Sequence, residues 1–262
     1  MFQNSIQKTT RLIAFVLIAT SCSGQTNQGK PEVNPITIQQ KFMDWWTYQS
    51  KNIMLSRDFT ALDTHSNKIT KENFLEELSS GKHIPIRMES KDVSVYYKLF
   101  KIETTSDSSI RATIVATAVE EYEHFKMEGT TFPAFSFTDL NGTVYTNETV
   151  KEKIVVIKCW YIHCTACVKE FPLVNKLTEE YKDRKDIVFI SLAEDSPEQL
   201  KSFLTKKPLA YPVVANQKNY MNEVLHLNAF PTHFIINKQG KIAKVLLNYE
   251  GLELALKKES NL

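Results

Sequence analysis

The chain has few cysteines, no block of charge of one sign and no apolar run long enough to span a bilayer as a mature helix. Each shortage excludes something. Thirty-two basic and thirty acidic residues are interspersed, for a net charge of +2, so there is no basic stripe of the kind a nucleic-acid binder needs. Lys182-Asp183-Arg184-Lys185-Asp186 alternates in sign and reads as a solvated face. A disulfide-stapled scaffold would scatter pairs of cysteines along the chain. Here there are four, and Cys159, Cys164 and Cys167 share one short segment. No second Cys-x-x-Cys completes a four-ligand zinc site, so no metal is expected. The clustering points to chemistry rather than stapling. The content of 42% hydrophobic and 24% charged residues is that of a soluble globular protein, and 262 residues favour two domains.

The N-terminus has a secretory layout. Lys8 and Arg11 precede the apolar run 12–19, and small residues follow. The run ends in Ala19-Thr20-Ser21-Cys22, which resembles a bacterial lipobox, with Ala19 where leucine is commonest. Residues 1–21 then form the signal, and Cys22 becomes the lipidated first residue of the mature chain. The alternative is an ordinary signal cleaved nearby. Either reading predicts export, to the periplasmic side of a bacterial envelope, where dithiol–disulfide chemistry is possible.

Residues 22–35 are polar and read as a flexible tether. Residues 36–126 predict a small α+β domain. It has a helix over 37–54, a second capped by Thr70 and stopped by Gly81, a strand through Val93, Val95, Tyr97 and Leu99, and a third helix over 108–125. No catalytic constellation is visible there. From residue 127 the rhythm changes. Asn141-Gly142 marks a hairpin, and Ile154-Val155-Val156-Ile157 reads as a strand buried on both faces. A helix follows over 164–181 with a kink at Pro172, then strand, helix, a helical stretch over 219–227, and a strand pair turned at Gly240. This order predicts α/β with a mixed sheet over 127–262.

Trp160-Tyr161-Ile162-His163-Cys164-Thr165-Ala166-Cys167 sits where strand becomes helix. Two cysteines so spaced can close a disulfide across a first helical turn. Unsatisfied N–H groups and the helix dipole favour a thiolate on the first. Cys164 should attack a partner disulfide, and the more buried Cys167 should resolve the mixed disulfide.

These residues, with Glu170-Phe171-Pro172, Phe230-Pro231-Thr232 and Asn237-Lys238-Gln239-Gly240-Lys241, resemble the TlpA/ResA family of extracytoplasmic thiol–disulfide oxidoreductases. The resemblance covers residues 127–262 and implies a thioredoxin-like fold with Cys164 and Cys167 as the redox pair. No cofactor is needed beyond that disulfide. It also implies a cis Pro231 beside Cys164, supported by Thr232, and Glu170 as the carboxylate that tunes the thiols. Trp160 would form a wall of the site.

Two positions depart from thioredoxin. His163 stands where thioredoxins have tryptophan, as a titratable neighbour of Cys164 or an exposed substitution. Lys158 stands where they bury an acid. The sequence favours a side chain that snorkels outward, against a buried base paired with a carboxylate. Cys159 falls on the opposite strand face and reads as core. His233 reads as core or surface, with a place facing the thiols as the alternative.

The resemblance implies reduction of protein disulfides, with electrons from a membrane thiol donor of the DsbD type and clients that include apocytochromes c. A lipid anchor would hold the protein at the membrane. Two alternatives stay open: a copper chaperone using Cys164, Cys167 and His233, and a thiol peroxidase. The spacing of the thiols counts against the first. The absence of a threonine before Cys164 counts against the second.

Overall fold

The computed structural model describes residues 28–261. The signal, Cys22 and the start of the expected tether lie outside the described residues. The first lobe runs β1 (Gln28–Pro31), α1 (Phe42–Asn52), β2 (Thr60–Leu62), β3 (Lys68–Ile69), α2 (Lys71–Ser79), β4 (His83–Ser90), β5 (Tyr96–Lys101) and α3 (Ser108–Met127). Its sheet has the order β1-β4-β5-β2-β3, antiparallel except for the β2–β5 pair. Part of the expected tether is strand instead. Residues 28–31 pair with the outer edge of β4 and so satisfy its backbone groups.

Other expectations need correction. The helix expected over 37–54 is broken into a 3₁₀ turn at Thr37–Gln39 and α1. Buried Gln39 pins the turn, donating to the carbonyls of Pro35 and Lys101 and accepting from Glu103 N–H and Ser106 Oγ. The strand expected from residue 93 starts at Tyr96. Val93 is fully exposed in a turn where Asp92 accepts from Ser90 Oγ and Ser94 N–H. Strand β4 escapes sequence reading because Pro85 interrupts it. The structure tolerates this proline where β1 does not reach. Arg87 N–H donates to the Tyr48 hydroxyl, so alternate residues, Pro85 among them, turn their backbone groups away from β5. The core of this lobe lies between α1, α2 and α3 and the inner residues Ile84, Ile86, Tyr97 and Leu99.

The second lobe runs β6 (Ser136–Thr138), β7 (Val144–Thr146), β8 (Ile154–Trp160), α4 (Thr165–Lys169), α5 (Phe171–Glu180), β9 (Ile187–Ala193), α6 (Pro197–Leu204), β10 (Val213–Val214), β11 (Thr232–Ile236), β12 (Ile242–Leu246) and α7 (Tyr249–Glu259). The β6–β7 hairpin turns on Asn141-Gly142, as expected. Gly142 adopts φ +87°, and the Asp139 carboxylate accepts from the N–H groups of Asn141 and Thr143. The main sheet has the order β10-β9-β8-β11-β12, with β8, β9 and β10 parallel and β11 and β12 antiparallel. This is the mixed α/β sheet expected, and central β8 is buried on both faces. The stretch expected to be helical over 219–227 is one wide π turn at Tyr220–Val224.

The lobes meet along β12. The chain leaving α3 pairs with it, Gly129 N–H donating to Ile242 O and Ile242 N–H to Thr130 O. Lys244 bridges Glu128 and Asp58, each at 2.9 Å.

Candidate active site

The parallel pairing of β8 with β9 delivers the chain at the C-terminal edge of the sheet, where the cysteine loop begins. Asp195 Oδ2 accepts Ile162 N–H at 2.8 Å and fixes the loop from the neighbouring strand end. Cys164 is the N-cap of α4 and is joined to Cys167 by a disulfide, with Cα atoms 5.2 Å apart. Cys167 N–H lies 3.1 Å from Cys164 Sγ, the contact that favours negative charge on the first sulfur. Cys164 keeps 6% of its surface and Cys167 none. The outer sulfur can meet a partner; the inner one can meet only Cys164.

The helix expected to kink at Pro172 is two helices that meet at Glu170. Pro172 has no N–H to return to the preceding turn, so α4 ends and α5 restarts. The Glu170 carboxylate is held from three sides. Lys158 Nζ lies 2.6 Å and His233 Nε2 3.0 Å from Oε2, and Tyr249 N–H donates to Oε1 at 2.9 Å. Lys158 is completely buried, so the outward snorkelling favoured by sequence is wrong. With β8 buried on both faces no route to water exists, and the carboxylate supplies the counter-charge instead.

Electrostatics follow from this geometry. Burial would raise the Glu170 carboxyl, but the His233 hydrogen bond and the Lys158 charge outweigh it and bring it down to about 2. Burial and the Lys158 charge push His233 down to about 4, so the ring is neutral at pH 7 and lends Glu170 a hydrogen bond without charge. Burial pushes Lys158 down, and Glu170 opposes it. Ser191, Lys158 and His233 sit abreast on β9, β8 and β11 and form a buried polar row. Ser191 Oγ and His233 Nδ1 have no partner among the described residues.

Trp160 is fully buried and stacks edge-on against Phe171 at 4.9 Å, in one cluster with Cys164 and Cys167. The Phe230–Pro231 bond is cis, and Phe230 packs on that cluster and edge-on against Tyr161 at 5.5 Å. Buried Thr232 pairs with Cys159 and donates from Oγ1 to Ala229 O at 2.7 Å, holding the loop before Pro231. Cys159 lies in the core on the other sheet face, where burial pushes its thiol up. His163 is exposed and lines a groove of about 750 Å³ with Thr165, Val168, Phe171 and Lys207.

Sequence reasoning missed the union of His233, Lys158 and the Tyr249 N–H around Glu170. A histidine in the apolar strand Thr232–Ile236 was the available signal, but strand register decides whom it faces. That register turns Nε2 to Glu170.

Residues 127–260 match the Redoxin family. The thiol–disulfide oxidoreductase ResA of Bacillus thuringiensis subsp. konkukian is 33% identical over 138 residues, which cover 51% of this chain and 79% of that protein. The thioredoxin-like protein YneN of Bacillus subtilis is 29% identical over 120 residues, 45% of this chain and 70% of YneN. Among solved structures, the thioredoxin domain of a thiol–disulfide oxidoreductase from Bacteroides vulgatus is 26% identical, with a TM-score of 0.45 over 50% of this chain and 96% of that one. The family match leaves the first lobe uncovered.

Proposed function

We propose that this chain, which belongs to the Redoxin family and is a thiol–disulfide oxidoreductase of thioredoxin-like fold related to ResA, reduces protein disulfides outside the cytoplasm. The observation that carries this reading is the graded burial of the pair, Cys164 keeping 6% of its surface and Cys167 none. In the reduced protein the Cys164 thiolate attacks one sulfur of a client disulfide. The client S–S bond breaks, and the departing client thiolate takes a proton. Cys167 then loses its proton and attacks Cys164 Sγ, and the second client sulfur leaves. Two electrons and two protons pass to the client, and the Cys164–Cys167 disulfide forms. The two sulfurs suffice, without a further cofactor. A membrane dithiol of the DsbD type would return the electrons, and apocytochromes c are the proposed clients.

Two features support the direction and the place. Lys158, the buried cation on the strand that feeds the cysteine loop, is paired with Glu170. Its charge is therefore not free to stabilise a thiolate, the support that makes a strong oxidant. Lys8, Arg11, the apolar run and Cys22 support export and a lipid anchor.

Insulin reduction tests the chemistry. Turnover should vanish in Cys164→Ser, and Cys167→Ser should retain the client as a mixed disulfide. Full activity in Cys164→Ser would overturn the assignment. A potential near the DsbA value of roughly −120 mV, rather than near roughly −270 mV, would reverse the direction.

A further inference from the structure

Helix α3 carries two stripes at helical spacing. Ile110, Ile114 and Ala118 turn to the core of its own lobe. Ala116, Val119, Glu120 and Glu123 form the second stripe, and they face the other lobe. They line a cleft of about 560 Å³ whose far wall includes Asn228 and Ala229. That wall is the approach to the cis proline. Ala229 precedes Phe230, which packs on the cluster of Cys164 and Cys167. Ala229 and Phe230, adjacent in the chain, therefore link the cleft to the cluster that holds the disulfide.

Two carboxylates, Glu120 and Glu123, and two imidazoles, His124 and the exposed His226, line the cleft. Val119 is 45% exposed on it, and no lysine or arginine lines it. Glu123 is paired with Lys126 at the surface, but Glu120 is half-buried with no ion pair or hydrogen bond among the described residues. Burial raises its carboxyl, the mark of a charge without compensation. His124 also lines the cleft. It is 94% buried, since only 6% of its surface remains, and its Nδ1 lacks a partner. Burial brings the ring down to about 4, so it adds a neutral polar wall to the cleft rather than a charge. An uncompensated carboxylate beside an exposed valine is met by a cationic, partly apolar peptide.

We infer that the cleft between α3 and the cis-proline loop docks a client segment bearing lysine or arginine beside an apolar residue, close to the client's own disulfide. This deepens the redox reading and rests on it. It gives the first lobe a task that the family match does not cover.

The test uses the full chain and three substrates. Two are short peptides with the same internal disulfide, one flanked by Lys-Leu and one by Glu-Leu. The third is a small neutral disulfide. The wild type should show a lower KM for the Lys-flanked peptide, with the preference shrinking as salt rises. Glu120→Lys should raise that KM about tenfold, equivalent to about 1.4 kcal/mol, with kcat and small-disulfide turnover unchanged. Glu120→Gln should raise it less. Ala116→Trp, which fills the cleft, should raise KM for both peptides. Equal KM for the two peptides in the wild type and in Glu120→Lys would overturn the docking inference and leave the redox reading standing. Failure of the wild type on all three substrates would remove the redox reading and the docking site with it.

Discussion

Each lobe buries a glutamate near a lysine, and the two behave oppositely. In the redox lobe, Glu170 accepts from Lys158, His233 and Tyr249 N–H and stays ionised down to about pH 2. In the first lobe, Glu121 on α3 accepts no hydrogen bond among the described residues. Burial raises it to about 7 against the weaker pull of Lys71. Lys71 meanwhile donates hydrogen bonds to the carbonyls of Ser56 and Arg57, and burial lowers it to about 8. Burial is common to both carboxylates. What separates them is whether donors reach the oxygens, because a charge out of water is tolerated only where hydrogen bonds replace the water. The redox lobe has bound its charge into four elements, whereas the first lobe has left its own unbound.

The contrast breaks most severely at Glu170. Glu170→Ala strands Lys158 in the core and should lower stability by about 3–5 kcal/mol in denaturant unfolding. The double variant Glu170→Leu with Lys158→Met should recover much of that loss. If Glu170→Ala alone is neutral, the clamp is not holding the fold together.

A middle-sized effect is expected at Glu121, with the opposite sign in pH. Its folded value of about 7 exceeds the ordinary 4.5, so its stabilisation is intact below about pH 4.5 and is lost as pH rises towards 7. Glu170 is depressed, so its contribution is present above about pH 4.5 and is lost as pH falls towards 2. His233, lowered from 6.5 to about 4, adds a loss on acidification across that interval. Glu121→Gln should therefore match the wild type near pH 4 and exceed it at pH 8 by on the order of 2 kcal/mol. Melting curves across pH measure this, and a variant weaker than the wild type at pH 8 would refute it.

The smallest effect lies at the seam between the lobes. Lys258, 67% exposed, pairs with Asp58 at 2.6 Å, and Lys258→Ala should cost less than about 1 kcal/mol in the same unfolding assay. A larger loss would mean that the lobes lean on each other more than this pair of exposed charges suggests.

The sequence alone determined what neighbouring residues decide between themselves. Cys164 and Cys167 at a strand-to-helix junction, the buried run that becomes β8, the Asn141-Gly142 turn and the Thr70 cap are local patterns, and local sterics and hydrogen bonding settle them. Strand β4 was hidden because Pro85 is acceptable only where β1 stops short, a fact about a neighbour. The charges set behind the cysteine pair were decided by the tertiary structure. Lys158 reads as snorkelling until β9 and β11 close over both its flanks. His233 has no meaning until antiparallel register sets it opposite Lys158. Side-chain direction in a strand has period two, so composition cannot say which neighbour shares a face; only the pairing of strands far apart in sequence can.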